Sequence, residues 1–324
     1  MACRWLSAAV LLAGCRFEAA SVGAGDALPP TADGGAADAV GRDAGPPGGD
    51  SADDAAPRDG PDAAPLGPFG PPTLIAPLAD LANDDDPTLT ADLLELYWDS
   101  ARGGDDDIWV SRRASPADPW GPPALVAELS LLGVQDSDPE VAPDGLTLYY
   151  SSARPGGLGG VDLYLATRST RADPWSAPAW IAELSSVAQE FPSNPTPDGL
   201  VILVQSTRLG SSDLFESRRA GIADPWGTPI PIVELNTAGQ ERTPHLMDGG
   251  LGLWFASDRP PSLGGADLFT TARASLAGPF AAPAHVSELA SAADDADPTL
   301  SPDGRYIVFM SARSGNAELW EASR

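Results

Sequence analysis

Short apolar stretches alternate with turn residues along most of the chain, and residues 138–184 show the pattern clearly. A short piece at 140–142 is followed by Pro-Asp-Gly and then by a run at 146–151 that is rich in Leu, Thr and Tyr. Pro fixes φ, Asp bonds back to its own backbone and Gly accepts positive φ, so this tripeptide is typical of a tight turn. Two more strand-like runs follow at 162–167 and 179–184, separated by Asp-Pro-Trp. The pattern predicts four short antiparallel strands.

This pattern recurs with a nearly constant period. Each repeat carries a Ser-x-Arg motif, and successive motif arginines are 52, 54, 51 and 54 residues apart. These arginines are Arg102, Arg154, Arg208, Arg259 and Arg313. A period in this range with four strands per repeat is typical of a β-propeller, in which each repeat forms one blade.

The two ends of the repeat region complete each other. Residues 70–78 copy residues 121–129 at six of nine positions, so the folded part opens with a fourth strand. Residues 298–324 supply three strands and stop before a fourth. Pairing the first strand with the last blade removes an exposed sheet edge. The sequence therefore predicts an all-β, five-bladed β-propeller over 69–324, closed by its N-terminal strand.

The N-terminal segment has the features of a bacterial lipoprotein leader. Arg4 gives a positive start, an apolar run too short to span a bilayer follows, and Leu-Ala-Gly precedes Cys15. We therefore predict a signal peptide at 1–14 and lipidation of Cys15; an ordinary secretory peptide is the alternative. Residues 15–68 are dominated by Ala, Gly, Pro and Asp, a composition that predicts a disordered linker between lipid and domain.

The composition excludes one class of partner. The chain has 46 acidic and 19 basic residues, a net charge of −27, and every basic residue is Arg. Such a charge repels phosphate backbones, so nucleic-acid binding is not expected.

The repeat also resembles a known family. Pro-Asp-Gly, an aromatic strand, Ser-x-Arg-Pro-Gly-Gly-x-Gly-Gly-x-Asp-Leu-Tyr and Trp-x-x-Pro are similar to the TolB-type, WD40-like (PD40) propeller repeats of bacterial envelope proteins, especially those found beside OmpA-type domains. The resemblance covers 69–324 and implies a periplasmic or surface propeller that works through protein contacts. No segment here resembles an OmpA-type domain, so the resemblance does not extend to peptidoglycan anchoring.

One acid precedes the innermost strand of every predicted blade, and this ring allows two interpretations. Five carboxylates around a channel mouth could hold a hard cation such as calcium. Alternatively, a residue present in every blade serves the blade, by accepting loop N–H bonds or by pairing with the motif arginine. The ring consists of Asp84, Asp136, Glu190, Glu241 and Asp295. The structural interpretation is favoured here, as it is for the repeated acids at Asp107, Asp162, Asp213, Asp267 and Glu318.

Positions at which the blades differ are the better candidates for a specific ligand site. On blades two to four, near the predicted channel mouth, an aromatic, an Arg, a His and polar acceptors cluster in the aligned repeats, a set suited to a small ligand or peptide. These residues are Glu140, Phe191, Asn194, Arg242 and His245. The alternative is that they are variable loop positions without a ligand.

No nucleophile elbow, metalloprotease helix motif or phosphate loop occurs, and no Cys would remain free in the mature chain. We therefore expect a non-catalytic, lipid-anchored envelope propeller, monomeric and without a required cofactor, that binds a protein or small ligand. The alternative is a carbohydrate-active enzyme that uses channel carboxylates, as five-bladed glycoside hydrolases do. Arg16 after Cys15 differs from the Asp that resembles an inner-membrane retention signal, which favours the outer membrane.

Overall fold

The computed structural model describes residues 66–324, which form five four-stranded antiparallel sheets and almost no helix. The predicted five-bladed β-propeller is confirmed. The predicted signal peptide at 1–14, the lipidation site Cys15 and most of the linker at 15–68 lie outside the described residues. No helix between residues 66 and 324 is long and apolar enough to cross a membrane.

Each blade consists of four strands, which follow chain order from the innermost to the outermost in blades 1 to 4, whereas the outermost strand of blade 5 is the first strand of the domain. Blade 1 contains β2 (Asp84–Leu89), β3 (Glu95–Ser100), β4 (Asp107–Arg112) and β5 (Ala124–Leu125). Blade 2 contains β6 (Asp136–Val141), β7 (Thr147–Ser152), β8 (Asp162–Thr167) and β9 (Ala179–Trp180). Blade 3 contains β10 (Glu190–Pro192), β11 (Val201–Ser206), β12 (Asp213–Arg218) and β13 (Ile230–Pro231). Blade 4 contains β14 (Glu241–Met247), β15 (Gly252–Ser257), β16 (Asp267–Ala272) and β17 (Ala284–His285). Blade 5 contains β18 (Asp295–Leu300), β19 (Tyr306–Ser311), β20 (Glu318–Ser323) and β1 (Thr73–Leu74).

The core lies between neighbouring blades. The second strand of a blade, such as β11, is buried along its whole length because both of its faces meet another blade. Between blades 1 and 2, Tyr97 and Ile108 pack with Leu148 and Tyr150 in one apolar cluster. A strand buried on both faces shows a continuous apolar run, which is why these segments lack strict alternation.

The ring closes at blade 5, as the sequence predicts. β1 pairs with β20 through Thr73 opposite Glu321 and Leu74 opposite Trp320. Just before β1, the ring of Phe69 meets that of Trp254 edge-on at 6.0 Å, and the guanidinium of Arg324 lies 4.2 Å from the centre of the Phe69 ring. Closure therefore uses side-chain packing before the strand as well as backbone pairing within it.

A second set of arginines, not singled out in the sequence, follows the third strand of every blade. In each blade the guanidinium stacks on an aromatic ring just before the outermost strand and its Nε donates to the carbonyl oxygen of a turn residue. The pairs are Arg113–Trp120, Arg168–Trp175, Arg219–Trp226, Arg273–Phe280 and Arg324–Phe69. Contacts of this kind contribute about 0.5–2 kcal/mol each, so these aromatics stabilise the blades through cation–π contacts as well as through packing.

One face of the propeller carries the motif arginines, and we call it the arginine face. It consists of the loops that join the second and third strands of each blade and the loops that lead into the innermost strands. The two kinds of loop contact each other across blade boundaries: Gly133 N donates to Asp105 Oδ2 at 2.6 Å, and Asn316 Nδ2 donates to the carbonyl oxygen of Ala82 at 2.8 Å. Every innermost strand begins at this face.

Candidate functional site at the channel mouth

Each innermost strand begins with a five-residue stretch that we call the channel segment, with positions numbered one to five. The segments are 84–88, 136–140, 190–194, 241–245 and 295–299. They carry the sequence Asp-x-Asp-Pro-x in three blades and depart from it in blades 3 and 4. Comparing one position at a time separates what all blades share from what is particular to one side of the channel.

The acids at position one are fully buried and are held within their own blades. In blade 2, Arg154 Nη2 lies 2.7 Å from Asp136 Oδ1, Ser152 Oγ donates to the same oxygen, and Leu131 N donates to Oδ2 at 2.7 Å. Equivalent ion pairs join Arg102 to Asp84, Arg208 to Glu190, Arg259 to Glu241 and Arg313 to Asp295. Each arginine also donates to a leucine carbonyl oxygen in the preceding loop, as Arg154 does to Leu129 at 2.7 Å. In this arrangement the carboxylates hold loops and do not converge on a common cation.

Position three has an unusual backbone conformation. Asp86, Asp138, Thr243 and Asp297 have φ between 48° and 56°, the left-handed region in which Asp is tolerated better than most residues. Each precedes a proline, and the pairing with the second strand shifts register there. Blade 3 has Pro192 at this position, where φ is fixed near −65°, and its innermost strand pairs without a shift.

The strained turns gather carboxylates from three blades at the channel mouth. Oxygen atoms of Asp86, Asp99 and Asp138 lie within 4.8 Å of one another. Asp99 Oδ1 accepts a hydrogen bond from Asp138 N at 3.0 Å, and Asp297 Oδ2 accepts one from Asp86 N at 3.5 Å. We call Asp85, Asp86, Asp99, Asp138 and Asp297 the central acid cluster.

The cluster holds protons at pH values where isolated carboxyls would be ionised. Burial, together with repulsion from Asp297 and Asp138, raises the pKa of Asp85 to about 8. Burial raises the pKa of Asp138 to about 7, and it raises the pKa values of Asp86 and Asp99 well above their usual range. The charged state is unfavourable because several carboxyls share a site with little water.

Arg242 is the basic residue beside this cluster. Its charge partly offsets the burial that raises the pKa of Asp297. Its Nε is buried and has no hydrogen-bond partner among the described residues.

At position five, four of the five side chains link neighbouring blades. Thr88 accepts a hydrogen bond from Val141 N, Asn194 from Leu246 N, His245 from Leu300 N and Thr299 from Leu89 N. The His245 Nε2–Leu300 N distance is 3.3 Å, and burial lowers the pKa of His245 to about 3, so the ring is neutral. Asn194 and His245 thus serve contacts between blades.

Glu140 is the exception at position five. The backbone group that would meet it belongs to Pro195, which has no N–H. Glu140 Oε2 instead accepts a hydrogen bond from Thr88 Oγ1 at 2.9 Å, and burial raises the pKa of its carboxyl well above the usual range.

A cavity of about 300 Å³, including space open to solvent, lies at the mouth. Its polar wall consists of Asp86, Asp138, Glu140, Thr243 and Asp297, and its apolar wall of Phe191 and four prolines. Of the five residues proposed from sequence, the structure therefore places Glu140 and Phe191 in the wall, Arg242 next to it, and Asn194 and His245 between blades. Sequence reasoning missed the position-three acids, although Asp-Pro at 86–87, 138–139 and 297–298 was the visible signal.

No protein-family model matches this sequence, and no curated protein matches it either. Solved structures with a similar fold include an endo-arabinase from Bacteroides thetaiotaomicron, with a TM-score of 0.54 and 13% identity over 79% of this chain and 97% of that one. A GH62 hydrolase in complex with xylotriose gives 0.50 and 10% over 76% and 92%. TolB from Acinetobacter baumannii gives 0.49 and 16% over 76% of this chain, which spans 56% of that chain. At identities this low, the TM-scores of the endo-arabinase and the GH62 hydrolase show a shared fold and nothing about activity.

Proposed function

We propose that this protein is a non-catalytic binding module of the bacterial cell envelope, held at the outer membrane by a lipid on Cys15. The PD40-like repeat motifs and the leader-like segment before Cys15 support this proposal. The binding site is the channel mouth, and the ligand presents a positively charged group. A monomer suffices, because the whole cavity belongs to one chain.

One observation supports a positively charged ligand. Carboxyl groups from blades 1, 2 and 5 face a single cavity, with Arg242 as the neighbouring cation. An ammonium, a guanidinium or a divalent cation would favour the ionised form of these carboxyls, whose pKa values are raised by burial and by mutual repulsion, because an opposite charge within a few ångströms stabilises the charged state. Phe191 adds an aromatic surface to the same wall.

A glycoside hydrolase is the second candidate, and Glu140 is the residue that favours it. A carboxyl with a raised pKa beside Asp138 resembles a general acid paired with a second carboxylate. The second carboxylate must be ionised to act as nucleophile or base, yet burial raises the pKa of Asp138 as well. The part of the cavity that a water-sized sphere can enter is only about 10 Å³, room for about one water molecule and not for a sugar ring.

Thermal unfolding of the full chain with four small probes tests the proposal. Argininamide, lysinamide and calcium chloride are compared with uncharged glutaminamide. We expect at least one cationic probe to raise the melting temperature, because a ligand that binds only the folded state stabilises it, by about 2.7 kcal/mol at a hundredfold excess over Kd. The double variant Asp138→Asn/Asp297→Asn should lose the shift. Asp118→Asn/Asp224→Asn, which removes two exposed loop charges, should keep it.

Absence of a shift with every cation, or an equal shift in the Asp138→Asn/Asp297→Asn variant, would contradict the proposed site. The enzyme candidate is tested on p-nitrophenyl α-L-arabinofuranoside and β-D-xyloside, where we expect no turnover above background. Turnover that disappears in Glu140→Gln would replace the binding proposal with a hydrolase.

A further inference from the structure

Large aliphatic side chains are exposed mainly on one face of the propeller. In the part of the chain that the structure describes, seven of the exposed large apolar residues lie in loops of the arginine face. They are Leu81, Leu131, Leu132, Leu158, Val187, Leu209 and Leu263. Leu81 is 100% exposed, Leu132 95% and Val187 83%. Over residues 66–324 the opposite face has two, Ile222 and Leu66, and the remainder lie at the outer strands.

The repeat places these side chains on an arc over blades 1 to 4. Leu81, Leu132 and Val187 occupy the loops that lead into β2, β6 and β10, three or four residues before the position-one acid. Leu158, Leu209 and Leu263 occupy the loops between the second and third strands of blades 2, 3 and 4. Hydrogen bonds within these loops fix two of the tips: Leu158 N donates to Asp162 Oδ2 at 2.9 Å and Leu263 N to Asp267 Oδ2 at 2.8 Å. The tips are therefore presented by ordered loops.

The arc lies on the same face as the channel mouth, because every channel segment starts at this face. The surface has an acidic centre and an aliphatic rim, and exposed aliphatic side chains concentrated on one face are typical of an interaction site. Leu66, the first described residue, lies at the opposite face, where a Cβ at Gly304 would be 3.2 Å from its Cδ1.

We propose that the arginine face docks a protein segment that inserts one Lys or Arg into the acidic mouth and packs flanking aliphatic residues on the loop tips. This inference deepens the proposed function and rests on it. The charge of the mouth favours a basic protein segment over a second copy of the chain or a lipid surface. A second copy would bring the same acidic centre against this one, and an anionic lipid surface would meet it with like charge, whereas a basic segment complements it. The rim supplies apolar burial, which the mouth alone lacks.

Two fluorescent probe peptides of equal charge test the proposal on the full chain. Both carry a single central Arg; one has Leu on each side and the other has Ser. We expect the Leu-flanked peptide to bind at least about tenfold more tightly by fluorescence anisotropy, a difference of about 1.4 kcal/mol. Leu132→Ser/Val187→Ser should remove that difference while leaving the Ser-flanked peptide unaffected. Ile222→Ser, an exposed aliphatic on the opposite face, is the matched control and should change neither affinity.

The outcomes separate this inference from the proposed function. If Asp138→Asn/Asp297→Asn abolishes binding of both peptides but the two peptides bind the wild type equally, the mouth is a cation site and the docking surface is refuted. If neither peptide nor any small cation binds, the proposed function itself fails. Sedimentation of the chain with anionic vesicles through Leu132 and Val187, or self-association lost in that variant, would assign the rim to a lipid surface or a second copy and overturn the proposal.

Discussion

Single residue differences between repeats decide which position-five side chains accept a backbone N–H of the next blade. Position five accepts a backbone N–H of the next blade wherever that blade supplies one, as in the Asn194 Oδ1–Leu246 N bond of 2.7 Å. Pro195 removes the donor in blade 3, and the residue facing it is Glu140. Glu140 instead accepts a hydrogen bond from Thr88 Oγ1 at 2.9 Å and lies in the cavity wall.

The central acid cluster makes stability depend on pH in a defined direction. The pKa of Asp85 is raised to about 8 and that of Asp138 to about 7, so the folded state keeps protons that the unfolded state has lost. Stability is therefore full below the unfolded pKa near 4 and declines as pH rises toward 7–8. We expect the free energy of unfolding to fall by about 1–2 kcal/mol between pH 6.5 and 8, measured by urea titration.

The window from pH 6.5 to 8 separates the effect of the carboxyls on stability from that of His245. The pKa of His245 is lowered to about 3, so His245 destabilises the fold only below its unfolded value near 6.5 and contributes nothing above it. Asp85→Asn/Asp138→Asn should reduce the dependence, because two of the carboxyls with raised pKa values become amides that do not titrate. Stability that does not change between pH 6.5 and 8 would show that these carboxyls are already ionised in the folded state, since no proton is then released on unfolding.

At the scale of strands, β1 depends most on the packing of the residues around it. β1 has two residues and pairs with β20, yet the residues around it fill the seam: Phe69, Ile75 and Leu78 are all buried. The Leu78 carbonyl oxygen also accepts a hydrogen bond from Arg102 Nη2 at 2.9 Å, which joins the closing segment to blade 1. A short strand is sufficient because closure depends on packing on both sides of it.

Removing this segment should open the ring. We expect a chain that starts at residue 79 to lose cooperative urea unfolding or to aggregate, because β20 becomes an exposed edge and the apolar seam beside it is uncovered. A chain that starts at Leu66 is the control and should unfold like the full chain, since every described contact is kept. Equal unfolding midpoints for the two truncations would refute closure by the N-terminal strand.

At the scale of the whole molecule, the surface and the anchor have separate roles. A net charge of −27 disfavours binding to an anionic bilayer through the protein surface, so membrane attachment falls to the N-terminal lipid in our proposal. The ion pairs of the position-one acids are internal and take no part in this surface charge, because all five acids are fully buried.

Cys15→Ser should release the protein from the membrane fraction into the soluble one. The reason is that the acyl chains provide the attachment, and the variant cannot be acylated. Fractionation with a salt wash measures it. Cys3→Ser is the matched control, because Cys3 lies within the predicted signal peptide and should leave attachment unchanged. A Cys15→Ser variant that still pellets with membranes would refute the lipid anchor.

The sequence by itself determined the architecture, because a propeller repeats its local chemistry. The Ser-x-Arg period, the Pro-Asp-Gly turns and the match between 70–78 and 121–129 predict blade number, strand number and closure. They also indicate the structural interpretation of the position-one acids, which the geometry supports through the 2.7 Å contact of Arg154 with Asp136. Local spacing is sufficient to predict these features because each of the contacts lies within one blade or between two adjacent blades.

The tertiary structure determined which residues form the candidate site. Asp86, Asp138 and Asp297 are about 50 residues or more apart in the chain, and only closure of the ring brings the first and last of them together. His245 and Asn194 resemble ligand residues in the aligned repeats, but each faces a backbone N–H of the next blade. Sequence pattern fixes which face of a strand a side chain occupies; whether that side chain meets a neighbouring blade or an open cavity depends on the partner across the blade boundary, as Pro195 shows for Glu140.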